Sequence, residues 1–421
     1  MTFASDYLSK GALFPPFTLP EPPDAGLGII VVIPAYDEPE INNCITSLAA
    51  CIPPGTGTEV IIVVNSPAQS GRDGTSANKR TIGAIREWQR TAGEQFFRLF
   101  VLDAGQPGIK GWGVGAARKT GMDEAVRRFE VVNNPDGVIL SLDADCTVSE
   151  NYLATVWEQF GKNRKAGGCS IGFRHRDDEP ETDRQQISAV KQYELHLRYF
   201  VAGLRYSTFP YSYHTVGSAF AVRAARYVKA GGMCRKQGGE DFYFIRKLVT
   251  SDDFIEIKPE LVFPSARISA RVPFGTGPSL DRLLQSGCKD LLTYSPQSFV
   301  VLRELFCLVR SEVYSGTSGF PDYTALPVAV KSFMDKEIWV SRTAEVISNT
   351  SDRQNRLKRF YSWFNAFMIV KFLNRSHENT FKKVPVVLAA REFLMLSGEM
   401  PWPALADMET LLSYFRAVDS R

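Results

Sequence analysis

The chain has 421 residues, 44% hydrophobic and 23% charged, an ordinary globular composition with length for more than one domain. Its 49 basic and 46 acidic residues leave a net charge of +3, which provides no electrostatic footprint for nucleic acid. The seven cysteines are odd in number and include no C-x-x-C pair, which argues against a disulfide framework or structural zinc and for reduced thiols in a cytoplasmic protein.

The N-terminus lacks a basic stretch followed by an apolar one, so no secretory signal is read. No run of about 18 apolar residues predicts a membrane-spanning helix. The most apolar late stretch, Phe360 to Leu373, is interrupted by Ser362, Asn365 and Lys371. It reads as a buried helix, with peripheral attachment to a membrane as the alternative.

Residues 1–27 form a proline-rich leader with Phe14-Pro15-Pro16, Pro20, Pro22 and Pro23, expected to lie extended over the surface. From residue 28 strands and helices alternate. Ile29 to Ile33 is a β-branched run of the kind buried on both faces of a sheet. A helix is expected over Pro39–Ala50, a second strand at Val60–Val64, a helix over Lys79–Arg90 and a third strand at Phe97–Leu102. A helix over Val114–Phe129 and a fourth strand at Val138–Leu142 follow. Such alternation predicts a parallel, doubly wound α/β sheet, whose ligands bind beyond the carboxyl ends of its strands. Past residue 275 the alternation fades. Segments near 280–313, 328–347, 352–374 and 380–416 read as helices, giving a mainly helical region over 276–421.

Three constellations stand at those strand ends. Asp143-Ala144-Asp145 follows the fourth strand, where two carboxylates can share a hard divalent cation such as magnesium or manganese. The plainer reading, that one of them caps the next helix, is countered by Thr147-Val148-Ser149-Glu150, which fits a capping box of its own. Gly238-Gly239-Glu240-Asp241 delivers two acids to the start of an apolar helix, either to meet its dipole or to place a general base. The third is the glycine run Gly105, Gly108, Gly111, Gly113 and Gly115 before Arg118 and Lys119, expected as a mobile loop beside a diphosphate. Its Gly111-x-Gly113-x-x-Ala116 starts too far beyond a strand to serve as a dinucleotide fingerprint.

Taken together these motifs carry a resemblance. Val32-Ile33-Pro34-Ala35-Tyr36-Asp37-Glu38 resembles the P-x-Y-N-E opening of family 2 glycosyltransferases, and Asp143-Ala144-Asp145 is similar to their D-x-D motif. Gly113 to Lys119 is similar to their G-x-x-x-A-R-N segment. Gly217 to Arg223, Gly231-Gly232 and Glu240-Asp241 resemble their acceptor-side strand and E-D motif in the same order. The match spans about residues 28–275. It implies a GT-A fold with a mixed sheet flanked by helices, and inverting transfer from a nucleotide diphosphate sugar to a saccharide or lipid-linked acceptor. It also implies donor-side residues Pro34, Tyr36, Asp37, Glu38 and Ala144, and a metal on Asp143 and Asp145. Asp241 is then the catalytic base, and Glu240 contacts or orients the acceptor. Asn65 stands where the family carries an aspartate that touches the base, which leaves the nucleotide open.

Asp103, after the third strand, is a further donor-side candidate. Arg118 reads as a phosphate contact or as a surface helix charge. His214, beside Tyr211 and Tyr213, reads as a third metal ligand, an acceptor contact or a structural residue. Arg267, Ser269 and Arg271 alternate with apolar residues and read as one face of a short strand, open to an anion or to solvent. Two rival functions are weighed. A sugar-nucleotide nucleotidyltransferase wants a glycine-rich basic loop directly after the first strand, where this chain has Pro34 to Glu38. A non-catalytic carbohydrate-binding protein would tolerate loss of either acid pair, and both are intact.

Overall fold

A computed structural model describes residues 2–12, 18–66, 72–105, 113–177, 183–234, 239–250, 253–267, 290–315, 319–399 and 406–421. The chain divides into two compact units: one comprises 1–187, 215–282 and 420–421, the other 188–214 and 283–419. The second unit therefore draws Ser188–His214 from inside the span that carries the sequence resemblance.

In chain order the first unit opens with α1 (Ser5–Lys10), β1 (Leu27–Ala35), α2 (Ile41–Ala49), β2 (Gly57–Asn65), α3 (Arg72–Thr91) and β3 (Phe97–Ala104). It continues with α4 (Val114–Val131), β4 (Val138–Ser141), β5 (Thr147–Val148), α5 (Tyr152–Lys162) and β6 (Gly168–Phe173). Helix α6 (Arg184–Tyr206) belongs mostly to the second unit. The first unit closes with β7 (Phe220–Arg223), α7 (Ala224–Lys229), α8 (Glu240–Val249) and β8 (Phe254–Phe263).

The eight strands make one sheet in the order β3-β2-β1-β4-β7-β6-β8-β5. The β-branched runs of β1 and β2 are buried along their length because helices cover both faces, and α4 packs across β1 and β2. Strands β1 to β4 pair parallel, as their alternation with helices predicts. Beyond β4 the purely parallel reading is corrected: β7 runs antiparallel to both β4 and β6. The sheet is mixed, as the resemblance implies.

Two local expectations are also corrected. Thr147 and Val148 do not cap a helix; they form β5 against Phe263 and Val262 of β8. Helix α5 begins only at Tyr152, after Asn151. Asp143 and Asp145 lie too far upstream to cap α5, which starts at Tyr152. The leader is not simply draped over the surface. Ala4, Tyr7 and Leu19 are buried, Tyr7 Oη donates to Asp123 at 2.6 Å, and the Leu19 amide donates to Glu124 at 3.1 Å.

The second unit continues with β9 (Leu292–Thr293), α9 (Pro296–Ser315), α10 (Val328–Phe333), α11 (Lys336–Ser348), α12 (Arg353–Trp363), α13 (Ala366–Asn379), β10 (Val384–Pro385), α14 (Val386–Ser397) and α15 (Met408–Asp419). It is mainly helical, as expected. Its own core gathers Tyr199, Phe299, Phe306, Phe360, Phe364, Phe372 and Phe393. The apolar stretch from Phe360 is two helices parted at Phe364, where Asn365 accepts the amides of Phe367 and Met368. Its apolar side chains face that core, which favours the buried reading. Among the described residues no helix is long and apolar enough to cross a membrane.

Candidate active site

Strand β4 ends at Ser141, whose hydroxyl donates to the Gly217 carbonyl at 2.7 Å and ties the strand end to the approach to β7. Leu142, Asp143, Ala144 and Asp145 follow in a turn closed by the Cys146 amide on the Asp143 carbonyl at 3.1 Å. Asp143 and Asp145 are partly exposed, whereas Ala144 between them is buried. Arg176 donates to the Asp145 carbonyl at 3.0 Å and braces the turn.

Helix α8 starts at Glu240, with Gly239 as its N-cap at φ 69. That left-handed backbone suits glycine, and it lets the chain turn both acids inward. Glu240 is buried, Asp241 is half-buried, and the Phe242 amide donates to Asp241 Oδ1 at 2.7 Å.

Arg118 joins the two acid pairs. Helix α4 is buried continuously from Gly115 to Val126, so a cation on it must find partners. The Arg118 side chain is 3% exposed; Nη1 donates to Glu240 Oε1, and Nη2 donates to Asp143 Oδ1 at 2.5 Å. The surface-charge reading of Arg118 is thus corrected, and its outer nitrogens are engaged by carboxylates. Burial alone would lower the Arg118 pKa, but the charges of Asp143, Glu240 and Asp241 more than reverse this and raise it. Burial raises the Glu240 carboxyl, with Arg118 pulling the other way and Asp241 adding to the rise. Burial likewise raises Asp241 against the pull of Arg118.

The loop after β1 forms another part of the same unit. Pro34 is buried, Tyr36 partly so, and Asp37 is exposed with a left-handed φ of 47. Glu38 is buried, and Arg267 Nη2 lies 2.8 and 2.6 Å from its two oxygens. Arg267 is therefore paired rather than a solvated charge, and it stands beyond the end of β8; Ser269 and Arg271 lie outside the described residues. Asn78 on α3, which sequence reasoning missed, accepts the Asp37 amide at 3.2 Å and donates to the Asn65 carbonyl at 2.8 Å and to Ser66 Oγ at 2.7 Å. It thereby locks the ends of β1 and β2 together. Asp103 is exposed and accepts the Gly105 amide at 3.2 Å. The glycine loop from 106 to 112 lies outside the described residues.

His214 belongs to the second unit. Its Nε2 meets Asp419 at 3.0 Å, and Asp419 also accepts from Arg198 at 2.7 Å and Arg205 at 2.6 Å. This ion-pair cluster fits the structural reading of His214.

The Asp143-Ala144-Asp145 turn and the Glu240-Asp241 helix start are thus joined through one buried arginine beyond a parallel strand. Residues 30–225 match the family model described as Glycosyl transferase family 2. No curated protein matches the chain. Among solved structures, Staphylococcus aureus TarS residues 1–349 in complex with UDP-GlcNAc is similar at 13% identity and a TM-score of 0.41, over 84% of this chain and 92% of that one. A Pyrobaculum calidifontis mannosyltransferase in complex with GDP-Man and Mn2+ is similar at 14% identity and a TM-score of 0.36, over 99% and 92%.

Proposed function

We propose that the chain transfers a sugar, with inversion, from a nucleotide diphosphate sugar to an acceptor hydroxyl, using a divalent cation. The carrying observation is the junction of Asp143 and Glu240 on Arg118 at the end of β4, with Asp241 adjoining. It supports a donor side and an acceptor side built next to one another.

Asp143 and Asp145 would hold the cation. They are partly exposed, present hard oxygen donors and flank a single residue. Two carboxylates leave coordination positions for phosphate oxygens and water, which is how magnesium and manganese are usually bound beside substrate phosphates. When bound, the cation supplies Lewis-acid stabilisation of the leaving diphosphate.

Tyr36, Asp37, Asn65 and Asp103 are the residues to seat the nucleoside. Glu38 acts through Arg267, which it holds in place. Asp241 takes the proton from the acceptor hydroxyl as its oxygen bonds to the anomeric carbon and the bond to the diphosphate breaks. Glu240, held by Arg118, orients the acceptor. Burial raises the proton affinity of the Asp241 carboxyl, which suits a base that must take up a proton.

The test is a panel of UDP-, GDP- and dTDP-sugars incubated with the full chain, manganese and mixed saccharide acceptors, with free nucleoside diphosphate quantified. Release by the native chain and not by Asp241→Asn supports the reading. No release from any donor in any condition overturns it.

A further inference from the structure

We infer that Arg118 is a positioning residue that sets the distance between the donor side and the acceptor side of the site. This rests on the glycosyl-transfer reading above and adds to it a residue whose role is to hold the two halves in register.

Three observations carry it. First, one guanidinium spans both halves, with Nη1 on Glu240 and Nη2 on Asp143, and its side chain is 3% exposed. A rigid planar fork transmits the position of one carboxylate to the other, as a flexible ammonium cannot. Second, Arg118 Nε is buried with no hydrogen-bond partner, so its two outer nitrogens make the contacts that fix its orientation. Third, the space around the fork is closed. A Cβ on Gly217 would stand 2.7 Å from Asp241 Oδ2 and 3.1 Å from Arg118 Nη1. Glycine at 217 thus lets Asp241 and the guanidinium approach one another, and the Ser141 hydroxyl bond to the Gly217 carbonyl at 2.7 Å holds that backbone against β4.

Arg118 touches neither sugar nor acceptor in this assignment; it acts through Asp143, Glu240 and Asp241. A register role separates from a binding role in kinetics. Each half keeps its own carboxylates when the fork is lost, so donor affinity persists while the geometry of attack is spoiled.

The experiment measures kcat and donor KM with the donor identified in the nucleotide-sugar panel, for the native chain, Arg118→Lys and Gly217→Ala, with melting temperature followed in parallel. Arg118→Lys keeps the charge but loses the fork. It is expected to melt within a few degrees of the native chain, to keep donor KM within about threefold and to lose roughly 10²-fold in kcat, the scale of an ångström-sized misplacement. Gly217→Ala keeps the guanidinium but intrudes on it, and is expected to lower kcat in the same way. A folded Arg118→Lys with kcat near native, or with its whole defect in donor KM, overturns the assignment. Should Arg118→Lys fail to fold, Gly217→Ala decides alone, and native kcat there overturns it. A native chain that turns over no donor instead sinks the transferase reading itself.

Discussion

Arg128 on α4 and Glu59 on β2 form a two-pronged ion pair whose side chains are 0% and 1% exposed. Arg128 Nε donates to Glu59 Oε2 and Nη2 donates to Oε1 at 2.6 Å, while Nη1 reaches back to the Glu21 carbonyl of the leader at 2.9 Å. Removing Arg128 leaves the buried Glu59 with only the longer contact to Arg98, at 3.6 Å. Arg128→Met is expected to destabilise the first unit by about 3–5 kcal/mol. The double variant Arg128→Met/Glu59→Met should recover much of that, since an apolar pair of similar volume is often neutral. Urea unfolding of the three proteins measures it, and additive losses in the double variant would contradict it.

Nucleotide binding is expected to require a divalent cation through the aspartate pair. Calorimetric titration of UDP, GDP and dTDP in EDTA and then in manganese checks this. Asp145→Asn should abolish the difference between the two conditions. Equal affinity with and without metal, for whichever nucleotide binds, argues against a metal role.

Asp241→Asn preserves size and the helix start but removes proton affinity. Transfer should fall by roughly 10²–10⁴-fold, the usual cost of losing a general base, with donor binding little changed. Glu240→Gln, made alongside, distinguishes the two acids: near-native turnover in Asp241→Asn with loss in Glu240→Gln would reverse their roles.

Activity should rise with pH along a limb displaced upward from that of an ordinary aspartate. The cause is burial, which raises Asp241 despite Arg118, and the base works only when deprotonated. A pH–rate profile of kcat/KM reads this directly. A rate already flat at pH values just above the normal carboxylate range would show that the relevant base is not displaced.

In the second unit, His196 is only partly exposed, and its loss of hydration, assisted by the Lys383 charge, lowers its pKa from 6.5 to about 4. The unfolded chain therefore binds the extra proton first as pH falls. The stability due to a neutral His196 is fully present above about 6.5 and is lost between there and about 4. Within that window the slope is up to about 1.4 kcal/mol per pH unit. Denaturation at pH 7 and pH 4.5 should show a smaller difference for His196→Gln than for the native chain; an unchanged difference would assign the loss to other groups.

Much of the first unit is legible in the sequence because β-branched runs such as Ile29–Ile33 and Val60–Val64 are buried on both faces, which leaves them apolar throughout. The aspartate pair stands out because it ends an apolar strand, and the Glu240-Asp241 pair because it opens an apolar helix after two glycines. Arg118 was only half legible. Its partners lie 25 and 122 residues away, and no local spacing reports them. Helix α4 also carries Lys119, Asp123, Glu124, Arg127, Arg128 and Glu130, so its sequence gives little sign that Arg118 is buried and has to be paired. The capping box at Thr147 misled because pairing with β8 outweighed a local preference. Asn78 carried no pattern at all, as its three partners come from two separate strand ends.

The position of β8 bears on how this protein should be cut for study. The strand spans Phe254–Phe263 and lies between β6 and β5, yet it falls outside the matched stretch 30–225. An expression clone trimmed to that stretch would leave β6 with an unpaired edge and invite aggregation. It would also discard Tyr7 and Leu19, stranding Asp123 and Glu124 without those contacts. The smallest workable fragment is therefore set by sheet neighbours and by the leader, and recognisable motifs are a poor guide to its borders.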